Sequence, residues 1–117
     1  MSHVERRPRA AAIVGVAGTS LGAAERRLFE QKQPSGFILF ARNCRSPEQV
    51  GALVEALRST VADPDAPVLI DQEGRRVSRL KPPHWLLICA PRRIGELAEL
   101  DVEEARKAAW LHARLIA

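Results

Sequence analysis

Three short apolar runs, Ala11–Val16, Phe37–Phe40 and Pro67–Ile70, are separated by stretches whose apolar residues recur at helical spacing. Runs of this length, bounded by Gly, Pro, Asn or Asp, are too short for buried helices and read as buried strands. Alternating strands and helices build parallel sheets, because a parallel pair needs a crossover about as long as a helix. The chain is thereby confined to α/β architectures.

The helical stretches carry their own end signals. Ala23–Lys32 is rich in Ala, Glu, Arg and Leu, with Gly22 at the cap and Glu25 where a capping-box carboxylate sits; Pro34-Ser35-Gly36 stops it. The second helix starts at the cap Ser46, followed by Pro47, with Gln49 completing an S-x-x-Q box. Val50, Leu53, Val54, Leu57 and Val61 form its apolar stripe, and Asp63-Pro64-Asp65 breaks it. A further helix is predicted from Asp101, capped by that carboxylate and closed by Glu104, with Ala105, Ala108, Ala109, Leu115 and Ile116 buried. The predicted order is strand, helix, strand, helix, strand, long loop, helix, with no hairpin signal. Periodicity leaves an open doubly wound sheet and a closed barrel as alternatives. Gly15 and Gly18 do not make G-x-G-x-x-G and no phosphate-binding G-x-x-x-x-G-K-[ST] occurs, which argues against nucleotide binding.

At 117 residues the chain has room for one domain, and a single unit is expected. No apolar stretch reaches the roughly 18 residues that span a bilayer, and no small-residue cleavage site follows the N-terminus, so no membrane partner and a cytoplasmic location are expected. The formal charge of +4 raises nucleic acid as an alternative partner. The arginines are scattered among nearly as many acids, aromatics make up 4%, and there is no tyrosine to stack on a base. No nucleic-acid binding is therefore expected; a solvated arginine-rich surface accounts for the charge. Arg6, Arg7 and Arg9 fall in a basic flexible tail over residues 1–10. Cys44 and Cys89 lack metal-ligand spacing and read as free thiols; His3, His84 and His112 are too dispersed for a metal site, and no cofactor is expected.

Residues 67–79 carry the densest chemistry. The strand Pro67–Ile70 ends abruptly in Asp71, Gln72, Glu73, Gly74, Arg75 and Arg76, with Arg79 shortly after. Parallel α/β folds place ligands beyond the carboxyl ends of their strands, so a site is expected to begin at Asp71. On a continuing strand Asp71 and Glu73 would share a face as a carboxylate pair. Arg42 and Asn43 leave the second strand at the same kind of end, although Asn is also a common turn residue. His84 and Trp85 follow Pro82-Pro83; the indole offers either a platform for a sugar or packing that pins the loop.

The string Gly36-Phe37-Ile38-Leu39-Phe40-Ala41-Arg42-Asn43, a capped helix, then Val68-Leu69-Ile70-Asp71-Gln72-Glu73-Gly74 with Arg76, Val77 and Arg79 resembles the N-terminal part of bacterial β-N-acetylhexosaminidases of glycoside hydrolase family 3. The resemblance extends through Ala113–Ala117. It implies the first three strand-helix units of a (β/α)8 TIM-type barrel, with residues 11–117 as a truncated N-terminal domain, since a complete barrel needs roughly 250 residues. It further implies hydrolysis of terminal N-acetylglucosamine from peptidoglycan fragments with retention, in peptidoglycan recycling. Retention requires two catalytic groups. In the family these are a histidine after a K-H-F-P-G-H-G-like segment and an aspartate on a later strand, and neither segment occurs here. No residue of this chain is assigned a catalytic role.

By the same resemblance Asp71 accepts hydrogen bonds from the hydroxyls of the terminal sugar and Arg79 helps to hold the ring, giving an N-acetylglucosamine-containing glycan as the partner. The alternative makes Asp71 a strand-end turn former and Arg79 its salt-bridge partner. Glu73 and Arg76 are expected to organise the loop through an ion pair. Arg75 stands where the family has a second glycine, a position that permits positive φ, and Leu86–Ala90 is more apolar than the family's loop. Three strands of an eight-stranded barrel leave edges and an inner face open. An inactive remnant, one part of a split enzyme with a complementing chain or self-association, and a small carbohydrate-binding module follow in that order.

Overall fold

The structure is a computed structural model and describes residues 8–116. Arg6, Arg7 and His3 lie outside them. Instead of the expected single unit, the chain divides into two compact units between Ile70 and Asp71. The division falls where the apolar core of the first unit is already complete.

In the first unit the predicted alternation is realised as β1 (Ala10–Val14), α1 (Ala23–Lys32), β2 (Pro34–Leu39), α2 (Pro47–Arg58) and β3 (Val68–Ile70). The sheet has the order β1-β2-β3 and every pairing is parallel. Because Val14 pairs with Phe37 and Leu39 with Ile70, these side chains share one face with Val68. That face meets the helices in a core of Val16, Phe29, Phe37, Leu39, Leu53, Leu57 and Ala66. Phe29 meets Phe37 edge-on at 5.4 Å between ring centroids, a favoured aromatic geometry. The opposite face carries Ile13, Ile38 and Leu69; Ile13 is 50% exposed and Leu69 44%.

Local chemistry sets the element ends. Glu25 accepts from the Gly22 amide at 3.2 Å and from Ala17 at 2.9 Å, as the capping pattern predicts. Pro34-Ser35-Gly36 does not merely stop α1 but opens β2. Gln33, left-handed at φ 49°, ends the helix, and Pro34 is tolerated as a first strand residue. Gly36 is required by close approach, since a Cβ there would lie 2.8 Å from the Pro67 carbonyl oxygen. For α2, Ser46 Oγ accepts from the Gln49 amide at 3.2 Å, but the Gln49 side chain does not close the box. Its Oε1 accepts from Arg45 and its Nε2 donates to Thr19 and Asn43 carbonyls, tying the loops after β1 and β2 together. Arg9, expected in the basic tail, pairs with Asp63 at 2.9 Å.

The second unit departs further from expectation. The predicted long loop contains an antiparallel hairpin, β4 (Gln72–Gly74) and β5 (Val77–Ser78), and a helix, α3 (Pro91–Ala98). The hairpin escaped notice because Arg-Arg occupies its turn in place of an Asn-Gly or Asp-Gly signal. Pro91 takes the first position of α3, where its missing N–H costs nothing. The last helix, α4 (Val102–Ile116), follows Asp101, whose Oδ1 accepts from the Glu103 and Glu104 amides at 3.0 Å. Glu104 does not close the box; its carboxylate pairs with Lys107. Of the predicted buried face only Ala105 is buried. Ala108 is half-buried, and Ala109, Leu115 and Ile116 are exposed; within this unit α4 packs mainly against α3. No described helix is long and apolar enough to cross a membrane.

Candidate functional site

Asp71 follows β3 directly and opens the hairpin unit. The hairpin returns the chain so that the Arg79 guanidinium lies 3.4 Å from Asp71 Oδ2. The two residues singled out from sequence are therefore brought together. The Asp71 side chain is 47% exposed and that of Arg79 29%, so the pair is reachable from solvent while the arginine is held. A single contact leaves Arg79 further donors and Asp71 further acceptor positions. Arg79 Nε and the Ser78 hydroxyl are buried with no hydrogen-bond partner among the described residues.

The geometry depends on Gln72, a residue the sequence pattern did not single out. Its Oε1 accepts from the backbone amides of Arg79 at 2.8 Å and Leu80 at 3.0 Å, and its Nε2 donates to the Leu80 carbonyl at 2.9 Å. An amide side chain can both donate to and accept from one backbone segment, which an ionised carboxylate cannot do. An amide set between two carboxylates at a strand exit was the signal available in the sequence.

Glu73 and Arg76 do not form the expected ion pair. Among the described residues neither has an ion-pair partner; both are exposed near the hairpin tip, where pairing would contribute little. Asp71 and Glu73 do not share a continuing strand either, because β3 ends at Ile70 and Glu73 belongs to the separate strand β4. Gly74, at φ 122°, lies so close to the Cys89 backbone that a Cβ would overlap its carbonyl. Arg75 is left-handed at φ 45°, the conformation for which glycine was expected; an arginine there costs about 1 kcal/mol or more. Its amide donates to the Ile88 carbonyl at 3.1 Å, anchoring the hairpin to the Leu86–Ala90 segment. His112 meets the Cys89 carbonyl on the same segment at 3.0 Å.

The remaining candidates are structural. Asn43, 0% exposed, donates to the Val16 and Gly18 carbonyls at 3.1 and 2.7 Å and accepts from the Phe40 amide at 2.8 Å. Arg42 donates to Val16 and lies over the Phe40 ring. Trp85 is half-buried, edge-on to exposed His84, and lines a small cavity with Leu80, Leu115 and Ile116. Both cysteines are free, and burial raises the pKa of Cys44. Among the described residues no three of His, Cys, Asp and Glu gather as metal ligands.

A parallel sheet built from β1, β2 and β3 alternating with α1 and α2, with polar residues just after the third strand, has the pattern of the opening of a (β/α)8 barrel. Known structures bear this out. NagZ from Neisseria gonorrhoeae, solved in complex with N-trifluoroacetyl-D-glucosamine, matches with a TM-score of 0.85 and 26% identity over 96% of this chain and 33% of that one. A glycoside hydrolase family 3 β-N-acetylglucosaminidase from Paenibacillus sp. str. FPU-7 matches with a TM-score of 0.61 and 28% identity over 88% of this chain and 20% of that one. Among curated proteins, the β-hexosaminidase of Xanthomonas campestris pv. campestris strain B100 is 39% identical over 106 residues, 90% of this chain and 31% of the relative. No family model matches. The chain is a homologue of the N-terminal barrel part of glycoside hydrolase family 3 β-hexosaminidases, and it spans about a third of the length of the curated relatives it matches.

Proposed function

We propose that residues 11–117 are the sugar-gripping portion of a β-N-acetylhexosaminidase barrel, with Asp71 and Arg79 binding the terminal N-acetylglucosamine of a glycan. The observation that carries this reading is the solvent-reachable Asp71–Arg79 pair, fixed from behind by the three hydrogen bonds of Gln72. An ion pair this exposed contributes little to stability, so a clamp that orients it is better explained by a ligand. Charge-assisted hydrogen bonds to sugar hydroxyls suit a carboxylate and a guanidinium side by side. The homologues' activity supports the substrate class, with peptidoglycan fragments in the cytoplasm as its setting. Residues 11–117 do not include the two catalytic groups that retention requires.

Titration with N-acetylglucosamine followed by NMR tests the reading. The expected result is saturable shifts at Asp71 and Arg79, weakened roughly tenfold or more by Arg79→Ala, in line with loss of a charge-assisted hydrogen bond. No hydrolysis of a chromogenic N-acetylglucosaminide is expected from the chain alone. Binding unaffected by Arg79→Ala, or turnover that survives purification and disappears in Asp71→Asn, would overturn it.

A further inference from the structure

The hairpin tip and the start of α3 enclose a solvent-open cavity of about 750 Å³, within the range of small-molecule sites. Four arginines line it, Arg75, Arg76, Arg92 and Arg93, with two acidic residues, Glu73 and Glu96. Arg92 and Arg93 share Glu96, at 3.2 and 3.1 Å. Arg75, Arg76 and Glu73 have no ion-pair partner among the described residues. Between the charges the lining is apolar, with Val77, Leu87 and Pro91; Leu87 is largely exposed.

Arg75 makes the cluster more than surface charge. It occupies the first central position of a two-residue hairpin turn at φ 45°, while Arg76 has no positive φ. Those signs match a type II′ turn, which favours glycine at the first central position. An arginine kept where glycine would be unstrained points to use of its side chain, the direction in which strain licenses a functional inference.

We propose that this cavity binds a small amphiphilic oxyanion, a carboxylate or phosphate group carried on an apolar body. The guanidiniums would take the anion through paired N–H donors, and the apolar body would lie on Val77, Leu87 and Pro91. The site shares no residue with the Asp71–Arg79 pair, and it stands or falls independently of the sugar reading.

The test is an NMR titration of the full chain with phenyl phosphate and with 3-phenylpropionate. Inorganic phosphate, neutral 2-phenylethanol and sodium chloride at matched ionic strength serve as references. Saturable shifts of the Arg75, Arg76, Arg92 and Arg93 Nε–H signals and of the Val77 and Leu87 methyls are expected. Either anionic aryl probe should bind roughly fivefold or more tightly than the neutral one, because charge-assisted bonds are lost in the latter. Whichever anionic probe binds more tightly distinguishes carboxylate from phosphate. Arg75→Gly removes a guanidinium while relaxing the backbone, so the fold should survive and affinity should fall roughly fivefold. Shifts that follow ionic strength alone, equal binding of 2-phenylethanol, or an Arg75→Gly variant with unchanged affinity would overturn the proposal. Displacement of phenyl phosphate by a DNA duplex at far lower concentration would also overturn it, assigning the patch to nucleic acid.

Discussion

Residues up to Ile70 and residues from Asp71 onward hold themselves together by different means. The first unit buries seven apolar side chains from its strands, helices and loops in one core. In the second, Ala105 is the one buried apolar side chain among the described residues, while Leu86, Leu87, Leu100, Val102, Trp110 and Leu111 are largely exposed. Beyond the packing of α3 on α4, polar contacts tie the second unit together. The Gln72 amide bridges two turns of chain, Arg75 is stitched to Ile88, and His112 meets Cys89. The first unit thus rests chiefly on area removed from water, whereas the candidate site is placed chiefly by directional bonds. Directional bonds fix atoms precisely but contribute only about 1 kcal/mol each, so the candidate ligand residues lie on the more easily opened part.

The contrast is broken most forcefully at Leu57, 0% exposed at the centre of the first core. Leu57→Ala should cost about 3 kcal/mol by transfer and cavity terms, read as a lowered denaturant midpoint for the first unit. An equal effect of Leu100→Ala, at an 87% exposed position, would show that burial does not distinguish the units. A smaller, localised effect is expected at the clamp. Gln72→Leu removes three hydrogen bonds and should lower protection of the Arg79 and Leu80 amides by about 1–2 kcal/mol in hydrogen exchange, leaving the β2 amides unchanged.

The smallest effect concerns Asp63, whose pKa is lowered first by the Asp65 backbone amide and then by Arg9. A carboxyl whose folded pKa is depressed contributes stability above its unfolded pKa and loses it as pH falls through the folded value. Acid titration of the wild type and Asp63→Asn should therefore diverge slightly above the ordinary carboxylate range and converge below it. Divergence confined to low pH would contradict the assignment.

The elements of the first unit were legible because each had a local cause. Glu25 and Ser46 cap helices through their own side chains, and Leu53 and Leu57 fall on the predicted stripe. What was not legible depended on partners distant in sequence. Gln49 abandons its box because Thr19, thirty residues away, offers a carbonyl. Asn43 looked like a turn residue and is instead a buried bridge to Val16 and Gly18. In α3, Ile94, Leu97 and Ala98 do recur at helical spacing after Pro91, but the helix is only 8 residues long and Ala90 gives it no side-chain cap, so it lacks a capping signal at its start. Of the candidate site, Asp71 and Arg79 were found through motif and strand end, whereas Gln72 became visible only once the hairpin returned Leu80 to it.

The position of the first core also bears on how the polypeptide emerges during synthesis. Its contributors all lie between Val14 and Ile70, so they exist before any of the hairpin or the last two helices has been made. At roughly 5–20 residues per second, the hairpin and the two helices after it take a few seconds to add. In that interval the residues that make the first core are all present, while Ile13 and Leu69 stand on the sheet face opposite it.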